Sequence, residues 1–447
     1  MPRPLVYLIY NLLLPIFLIV GFPAFILKGI RRGGLARNFR QRLGRFREGD
    51  LFEESGDADA SIWIHAVSVG EVFLALKAIE ALQEAAPDQK LLLSVTTTTG
   101  FAVAREQASP TLKVIHNPID LPWITARVIR KIQPKALVLI EAEVWPNLVA
   151  QLHRRNIPII LANARLSPRS ARRYARFRSI VEPIFSQLTA ISVPFESDVP
   201  RWEAIGISQD RIQVLGSVKF DSTAQGGKEK QKELEEWLRQ SGCPSDARIL
   251  LAGSTHDGEE KLLAEEFLAL REEIPGLALV IVPRHAERAG AIVSQLDALS
   301  LHTVVKVPLA GEARPTDESS ENPRVWIANT TGELRSWFSL AEVVMIGKSF
   351  CGVGGQNPVE PILAGKPVIV GPHMENFADV VRDLSEREGI LQLSGEAELR
   401  DALRTFFLHP EQGATLAEQG RAAMTRHEGA SARTAEFVLH QIESKES

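Results

Sequence analysis

Short apolar runs alternate with amphipathic segments along most of this chain. Uncharged runs of this length are typical of strands buried on both faces of a parallel sheet, and the segments between them repeat apolar residues at helical spacing. The alternation predicts two doubly wound α/β domains. The predicted strands are 62–64, 91–95, 114–116, 136–140, 157–162, 189–193 and 212–215 in the first series, and 249–252, 279–282, 303–305, 325–328, 343–346 and 368–370 in the second.

The domain boundary is predicted where the alternation of apolar runs and amphipathic segments is interrupted, in a stretch with Asp221, two glycines and a run of charges. A chain of 447 residues is also too long for one ordinary core. We therefore expect a membrane anchor over 1–30, a first Rossmann-like domain over 31–217, a linker over 218–245 and a second Rossmann-like domain over 246–447. The last helix is a candidate to return to the first domain and pack against it.

The anchor is predicted from residues 5–27, an apolar run of about 23 residues without a charge. A helix that rises about 1.5 Å per residue can then cross a hydrocarbon core of about 30 Å. A cleaved signal peptide is the competing interpretation, but the run is long for one and no small-x-small cleavage site follows it.

Cations follow this run, whereas Arg3 alone precedes it, so the positive-inside rule predicts that the bulk of the chain lies on the cytoplasmic side of the membrane. These cations act either as a topology signal alone or also as contacts that hold the first domain on anionic lipid. They are Lys28, Arg31, Arg32, Arg37, Arg40, Arg42, Arg45 and Arg47.

Composition narrows the class of protein. Charged residues make up 24% and hydrophobic residues 45% of the chain, which is ordinary for a folded protein. Cys243 and Cys351 are far apart and lack metal-ligand spacing, which favours a reducing compartment over a disulfide framework. The chain contains no H-E-x-x-H, C-x-x-C or Walker glycine motif.

The stretch after the first strand has two interpretations. Ser68 and Glu71 fit an S-x-x-E capping box, which satisfies helix amides and requires no chemistry. Glu71 is also predicted at the carboxyl edge of a parallel sheet, where ligands bind. His65, in the strand itself, could equally be a satisfied core histidine.

Two further positions in the first domain are candidates. Glu141 and Glu143 lie two residues apart after a predicted strand, and carboxylates so close are costly unless a ligand, a cation or a shared proton relieves them. Lys219 lies at the domain junction, and a lone lysine is most often solvated surface.

Four loops of the second domain carry polar residues after strands. Ser254 and Thr255 lie near a helix start, where free amides favour an anion, although a simple N-cap has the same pattern. The loop 347–360 is rich in glycine and leads through Pro358 into a helix. It lacks the G-x-G-x-x-G spacing of a dinucleotide fingerprint. The other two loops contain Pro283-Arg284-His285 and Asn329-Thr330-Thr331-Gly332-Glu333.

Taken in order, these segments resemble the 3-deoxy-D-manno-octulosonic acid (Kdo) transferases of glycosyltransferase family 30, over nearly the whole chain. The resemblance implies a GT-B fold with two Rossmann-like domains facing a cleft, a CMP-Kdo donor, a lipid A precursor as acceptor, and inverting transfer at the inner membrane. It implies no cofactor and no divalent metal, and we expect no nucleic-acid partner. The matching segments are Arg40-Gln41-Arg42-Leu43-Gly44, Ile64-His65-Ala66-Val67-Ser68-Val69-Gly70-Glu71, Glu141 to Asn147, Asn163-Ala164-Arg165-Leu166-Ser167, Lys219-Phe220-Asp221, Ser254-Thr255-His256 and Pro283-Arg284-His285.

The resemblance also implies residue roles. Glu71 matches the general base, and Glu141 and Lys219 match positions that stabilise the transition state. Further donor or acceptor contacts are expected from Ser254, Thr255 and Arg165. The residues that match the CMP-binding loops are Pro283, Arg284, Thr331, Gly332, Glu333, Asn357, Pro358, Val359 and Glu360.

Two departures from the family pattern leave alternatives open. Lys348 stands where the family commonly has a second glycine, and Gln356 stands where it commonly has a histidine. A GT-B transferase using another nucleotide sugar is therefore the alternative among enzymes. A non-catalytic, membrane-bound nucleotide-sugar binding protein is the alternative from another class, although it would not need Glu71 and Glu141.

Overall fold

Two structural units make up the chain. The computed structural model describes residues 1–31, 35–52, 60–221, 228–306, 322–330 and 332–446. Unit 1 comprises Met1–Ser222 and His427–Ser447, and unit 2 comprises Thr223–Arg426. Residues 222–227 of the predicted linker lie outside the described residues, and its helical part belongs to unit 2.

Unit 1 is built on a sheet of seven parallel strands in the order β3-β2-β1-β4-β5-β6-β7. Its central strands bury every residue, which explains why their sequences are apolar runs without alternation. Its strands are β1 Ile62–Ala66, β2 Leu91–Val95, β3 Leu112–His116, β4 Ala136–Ile140, β5 Ile159–Ala162, β6 Ala190–Val193 and β7 Ile212–Val214. The helices in the first segment of unit 1 are α1 Arg3–Arg31, α2 Leu35–Arg42, α3 Val69–Ala85, α4 Thr98–Glu106, α5 Pro122–Ile132, α6 Pro146–His153, α7 Pro168–Arg176, α8 Arg178–Phe185 and α9 Val199–Glu203. This segment also has 3₁₀ turns at Glu196–Asp198 and Gln209–Arg211.

Unit 2 repeats the design with seven parallel strands in the order β10-β11-β9-β8-β12-β13-β14. Its strands are β8 Arg248–Thr255, β9 Leu277–Pro283, β10 His302–Lys306, β11 Arg324–Ala328, β12 Val343–Ile346, β13 Val368–Val370 and β14 Leu391–Gln392. Its helices are α10 Lys228–Gln240, α11 Glu259–Leu270, α12 Ala289–Asp297, α13 Leu334–Leu340, α14 Val359–Leu363, α15 Ala378–Glu386, α16 Leu399–Leu408 and α17 Pro410–Thr425, with 3₁₀ turns at Ala286–Arg288, Glu375–Phe377 and Glu396–Glu398. The last helix, α18 Ala430–Glu446, belongs to unit 1.

Alternate residues of a central strand serve different cores. In β1, Ile62 and Ile64 pack in the layer that includes Phe437 of α18, whereas Trp63 packs in the layer on the other face. Helices therefore cover both faces of the sheet. Every strand predicted from the apolar runs is present, and β14, with two residues, is the strand that the pattern did not predict.

The strand order reverses once in each sheet, between β1 and β4 in unit 1 and between β8 and β12 in unit 2. Loops that leave the carboxyl ends of strands on either side of such a reversal diverge, and the opening between them is where doubly wound folds bind ligands. Glu71 and Glu141 follow the two strands at the reversal in unit 1, and Ser254 and the loop 347–360 follow the two strands at the reversal in unit 2.

Helix α1 is long and apolar enough to cross a membrane, and among the described helices it alone meets this test, over Arg3–Val20. The basic segment that follows does not act as one group. Arg42 is buried, with 9% of its surface exposed, and donates to the backbone carbonyl of Thr96. Burial lowers its pKa, so this arginine serves the fold of unit 1 and is not available to lipid.

Candidate active site

Glu71 lies in the first turn of α3, directly after β1. Ser68 caps the helix: its Oγ accepts from the Glu71 backbone N–H at 3.3 Å, and its hydroxyl donates to Glu71 Oε1 at 2.9 Å. The Val67 backbone N–H donates to the other carboxylate oxygen at 2.8 Å. The predicted Ser68 cap is confirmed, with one difference from a capping box: the Glu71 carboxylate accepts from the Val67 N–H, one residue before the N-cap, and not from the Ser68 N–H. These bonds hold the Glu71 carboxylate in one orientation at the sheet edge.

The acidic loop follows β4 and contains Glu141 and Glu143. Glu141 has a φ of +62°, in the left-handed region that few non-glycine residues adopt. The loop ends at Trp145, after which Pro146 begins α6. This conformation sets the direction in which the acidic loop leaves β4.

His65 and Trp145 connect β1 to the acidic loop. The Trp145 indole N–H donates to His65 Nε2 at 3.1 Å, so that nitrogen carries no proton. Nδ1 then carries the proton and donates to Ser94 Oγ at 2.9 Å. Burial lowers the pKa of His65 to about 4, which agrees with a neutral ring. His65 is therefore a satisfied core histidine that also fixes the end of the loop.

Glu71, Glu141 and Glu143 line one cavity of about 250 Å³ together with Tyr174 and Phe185. Burial raises the pKa of Glu141, and the charge of Glu71 raises it further. The pKa of Glu143 is raised by burial and by the charges of both other glutamates. Three carboxylates thus line one cavity, and their mutual repulsion disfavours ionisation of all three at once.

Arg165 and Lys219 offset this charge from neighbouring loops. Arg165 follows β5 and lowers the pKa of Glu141, and Lys219 acts on Glu141 in the same direction. The pKa of Lys219 is itself lowered, first by partial burial and then by Arg165, whereas Glu141 raises it. The predicted catalytic residues Glu71, Glu141 and Lys219 and the predicted contact Arg165 are therefore electrostatic neighbours.

The segment that carries Lys219 is held from several sides. The Val218 N–H donates to Asn163 Oδ1 at 3.2 Å, and Lys77 of α3 donates to the Val218 carbonyl at 3.2 Å. Asp221 accepts from the Gly429 N–H at 2.9 Å and thereby ties the segment to the start of α18. Sequence patterns did not predict these contacts, because they join parts of the chain that are far apart.

In unit 2 the predicted loops leave four adjacent strands, β11, β9, β8 and β12, at one sheet edge. Ser254 and Thr255 are buried at the end of β8, and Ser254 has a φ of +56°. The Arg284 backbone N–H donates to the Thr255 carbonyl at 3.1 Å, while the Arg284 residue is exposed. Pro283, the preceding residue, is buried.

Glu259, which the motifs did not single out, organises two of these loops. It is fully buried at the start of α11. Oε2 accepts from the backbone N–H groups of His256 at 2.9 Å and Lys348 at 2.7 Å. Oε1 accepts from those of Ser349 at 2.9 Å and Phe350 at 3.0 Å. An acid in the first helical turn after Ser254 and Thr255 was the available signal, but its partners in the glycine-rich loop were not visible in the sequence.

Glu333 lies in an ion-pair network beside the loop after β11. Lys306 Nζ is 3.2 Å and Lys230 Nζ 2.9 Å from Glu333 Oε1, and the Thr330 hydroxyl donates to Oε2. Burial alone would raise the pKa of Glu333, but these hydrogen bonds outweigh it and hold the pKa below its usual value. Thr331 lies outside the described residues, and Gly332 has a φ of +84°.

The remaining predicted CMP contacts lie around α14. Asn357 Oδ1 accepts from the Val359 N–H at 3.1 Å, and Asn357 Nδ2 donates to Glu360 Oε1 at 3.3 Å. Val359 and Pro358 are buried. Glu360 Oε2 is also 3.5 Å from Arg335 Nε.

Gln356, one of the two departures from the family pattern, contacts a motif residue: its Nε2 lies 3.2 Å from His256 Nε2. Partial burial lowers the pKa of His256, and the nearby charge of Lys348, the other departure, lowers it further. In the described ranges, no group of three or more His, Cys, Asp or Glu side chains has an arrangement suited to a metal ion.

Comparison with known proteins places these residues in a family. The family model of 3-deoxy-D-manno-octulosonic-acid transferases matches residues 37–222. A Haemophilus influenzae 3-deoxy-D-manno-octulosonic acid transferase is 31% identical over 91% of this chain and 92% of its own length. The chain belongs to the Kdo transferase family. A Bordetella pertussis Kdo transferase is 30% identical over 84% of this chain and 86% of its own length.

Solved structures that resemble this Kdo transferase support the fold. A UDP-GlcNAc 2-epimerase from Neisseria meningitidis covers 86% of the chain and all of its own, with a TM-score of 0.56 and 14% identity. A Rickettsia africae glycosyltransferase covers 87% of the chain and 99% of its own, with a TM-score of 0.54 and 11% identity. The predicted GT-B type fold, with two Rossmann-like α/β units and an apolar N-terminal helix, is confirmed.

Proposed function

We propose that this Kdo transferase moves Kdo from CMP-Kdo to a lipid A precursor, with inversion at the anomeric carbon and with Glu71 as the general base. The observation that carries the proposal is the cavity lined by Glu71, Glu141 and Glu143, with Arg165 and Lys219 as charged neighbours. The names of the Haemophilus and Bordetella relatives support Kdo as the sugar.

In the proposed reaction, Glu71 takes the proton of a glucosamine hydroxyl while the hydroxyl oxygen forms a bond to the anomeric carbon of Kdo. The bond from that carbon to the phosphate oxygen breaks, and CMP leaves with the electron pair. A positioned base of this kind contributes typically about 10²- to 10⁴-fold in rate. The capping bonds of Glu71 use one acceptor direction on each oxygen, and a carboxylate oxygen has a second one for the substrate.

Lys219 and Arg165 would stabilise the negative charge of the donor carboxylate and of the departing phosphate. Glu141 supports this role because its charge raises the pKa of Lys219, against the lowering by burial and by Arg165. The loops after β8, β9, β11 and β12 are proposed to bind the cytidylate through Arg284, Ser254 and Thr255 and through the segments that end at Glu333 and Glu360. The proposal needs no cofactor and no divalent metal, so a chelator should leave the rate unchanged.

The direct test is incubation of the full-length protein with CMP-Kdo and a tetraacylated lipid A precursor, followed by mass analysis of the lipid. We expect a mass increase of one or more Kdo units. A donor panel that includes other nucleotide sugars separates the alternative GT-B activity. Product with another donor and none with CMP-Kdo would overturn the donor assignment.

The base assignment has its own test. Glu71→Ala should abolish transfer while calorimetry shows unchanged CMP binding. Full transfer activity in this variant would contradict the assignment of Glu71, and lost CMP binding would identify it as a residue that the donor site needs.

A further inference from the structure

The first turns of α1 are bonded to the body of unit 1. Arg3 donates to Ser186 Oγ at 3.2 Å, and the Tyr7 hydroxyl accepts from Gln187 Nε2 at 2.6 Å. Between them Val6 is buried, with 3% of its surface exposed. The N-terminal end of the apolar helix therefore contacts protein along one face.

The next turn adds a buried polar cluster. The Tyr10 hydroxyl donates to Asp120 Oδ2 at 2.9 Å, and the Asn11 side chain exchanges two hydrogen bonds with that of Asn147, at 3.1 and 2.8 Å. Asp120 also accepts from the backbone N–H groups of Asn147 and Leu148 at the start of α6. Polar groups placed in hydrocarbon would lack such partners and cost several kcal/mol each, so this cluster favours a helix docked on protein.

The chain that follows α1 is held on the same unit. Gln41 Oε1 in α2 accepts from the His116 backbone N–H at 3.0 Å, and Arg42 is buried against Thr96. A spanning helix places its two ends on opposite faces of a core about 30 Å thick. Here the start of α1, residues 3–11, and the end of the next helix α2, residues 41–42, both contact the body of unit 1.

We propose that α1 lies in the plane of the membrane and does not cross it, so that the N-terminus is on the same face as unit 1. The side of the helix turned away from the protein enters one leaflet of the bilayer. This inference does not depend on the donor or acceptor of the reaction. The outward residues are Leu5, Leu8, Leu12, Leu13, Ile16 and Phe17, which are 43%, 56%, 62%, 58%, 58% and 74% exposed.

Exposed apolar residues of α8 and the basic helix α7, which packs against α8, indicate that the outward face of α1 meets a lipid leaflet. Helix α1 packs beside α8, where Ile180 is 41% exposed, and Phe177 before α8 is 49% exposed. The preceding helix, α7, carries cations and no acid, which suits anionic lipid headgroups around an inserted apolar face. Its four arginines, all exposed, are Arg169, Arg172, Arg173 and Arg176.

Sidedness can be measured with single cysteines in the full chain. In a Cys243→Ser, Cys351→Ser background, Pro2→Cys reports the N-terminus and Gln107→Cys, at an exposed position of unit 1, reports the protein body. Membrane vesicles of both orientations are treated with a membrane-impermeant maleimide. We expect both cysteines to react in the same vesicles, and reaction of the two in opposite vesicles would overturn the proposal.

A second measurement tests the docking itself. A photoreactive benzoylphenylalanine at Tyr7 should cross-link to unit 1 near Gln187, whereas the same group at Leu8, on the outward face, should cross-link to lipid. Lipid adducts at both positions would show a helix surrounded by hydrocarbon and would contradict the in-plane arrangement.

Discussion

Glu71 and Glu259 occupy corresponding places in the two units. Each lies in the first turn of the helix that follows the first strand of its sheet, beside the point where the strand order reverses. Their surroundings differ. Glu259 accepts four backbone N–H bonds and is fully buried, whereas Glu71 accepts one backbone N–H and one hydroxyl and faces a cavity with two more carboxylates.

The difference separates a structural acid, Glu259, from the acid that we propose as the general base, Glu71. Four backbone N–H groups occupy all the acceptor positions of the Glu259 carboxylate, which therefore holds the loops around His256 and Ser349 together. Around Glu71 the charges are only partly balanced, since Glu141 and Glu143 have raised pKa values and Lys219 a lowered one. Groups whose pKa values are shifted around a cavity are candidates for chemistry.

The largest effect is expected at Glu71, where two variants separate the base from the cap. Glu71→Gln can still complete a capping box but cannot accept a proton, so kcat should fall by about 10²- to 10⁴-fold. Ser68→Ala removes the cap and should cost about 1 kcal/mol of unfolding free energy while most of the rate remains. Steady-state kinetics measure the rate loss and thermal unfolding measures the stability loss of each variant. Equal rate losses in both variants would show that Glu71 acts only as a capping residue.

Glu259→Ala tests the other side of the comparison. It leaves four buried N–H groups without their acceptor, and we expect a loss of stability on the order of 3 kcal/mol together with weaker CMP binding. Glu265→Ala, on the exposed face of the same helix, is the control and should change stability by less than about 1 kcal/mol. Unfolding that is unchanged by Glu259→Ala would remove its structural role.

Lys219→Met should lower kcat by about 10²-fold with little change in the KM for the acceptor, because it removes one charge that we propose to stabilise the departing group. Lys219→Arg keeps the charge and should recover part of the rate. A raised acceptor KM with normal kcat would instead make Lys219 an acceptor contact.

A pH-dependent effect is expected at Asp120, whose pKa burial raises to about 7. A carboxyl that binds its proton more tightly when folded adds stability below its unfolded pKa, near 4, and loses it as pH rises towards 7. Asp120→Asn should therefore flatten the fall in stability over this window, by at most about 1.4 kcal/mol per pH unit. Denaturant unfolding at pH 5 and pH 7 measures the slope, and an unchanged slope would exclude Asp120 as its source.

Much of the fold followed from local pattern. A strand covered on both faces must be apolar throughout, so runs such as 91–95 and 136–140 predicted β2 and β4 with their bounds. The two-residue strand β14 has too few residues to form a pattern. The acidic positions after β1 and β4 were also visible, because loops at strand ends determine where a ligand can bind.

By itself, the sequence determined the two doubly wound units, the Ser68 cap before Glu71, the acidic pair after β4 and an apolar N-terminal helix, since each depends on residues that are neighbours in the chain. Only the tertiary structure decided which charges meet. Glu259 receives amides from residues about 90 positions away, Trp145 orients His65 across the sheet, and Tyr10 reaches Asp120 from the first helix. These partners are brought together by the packing of whole elements, and no local pattern of apolar and polar residues encodes that packing.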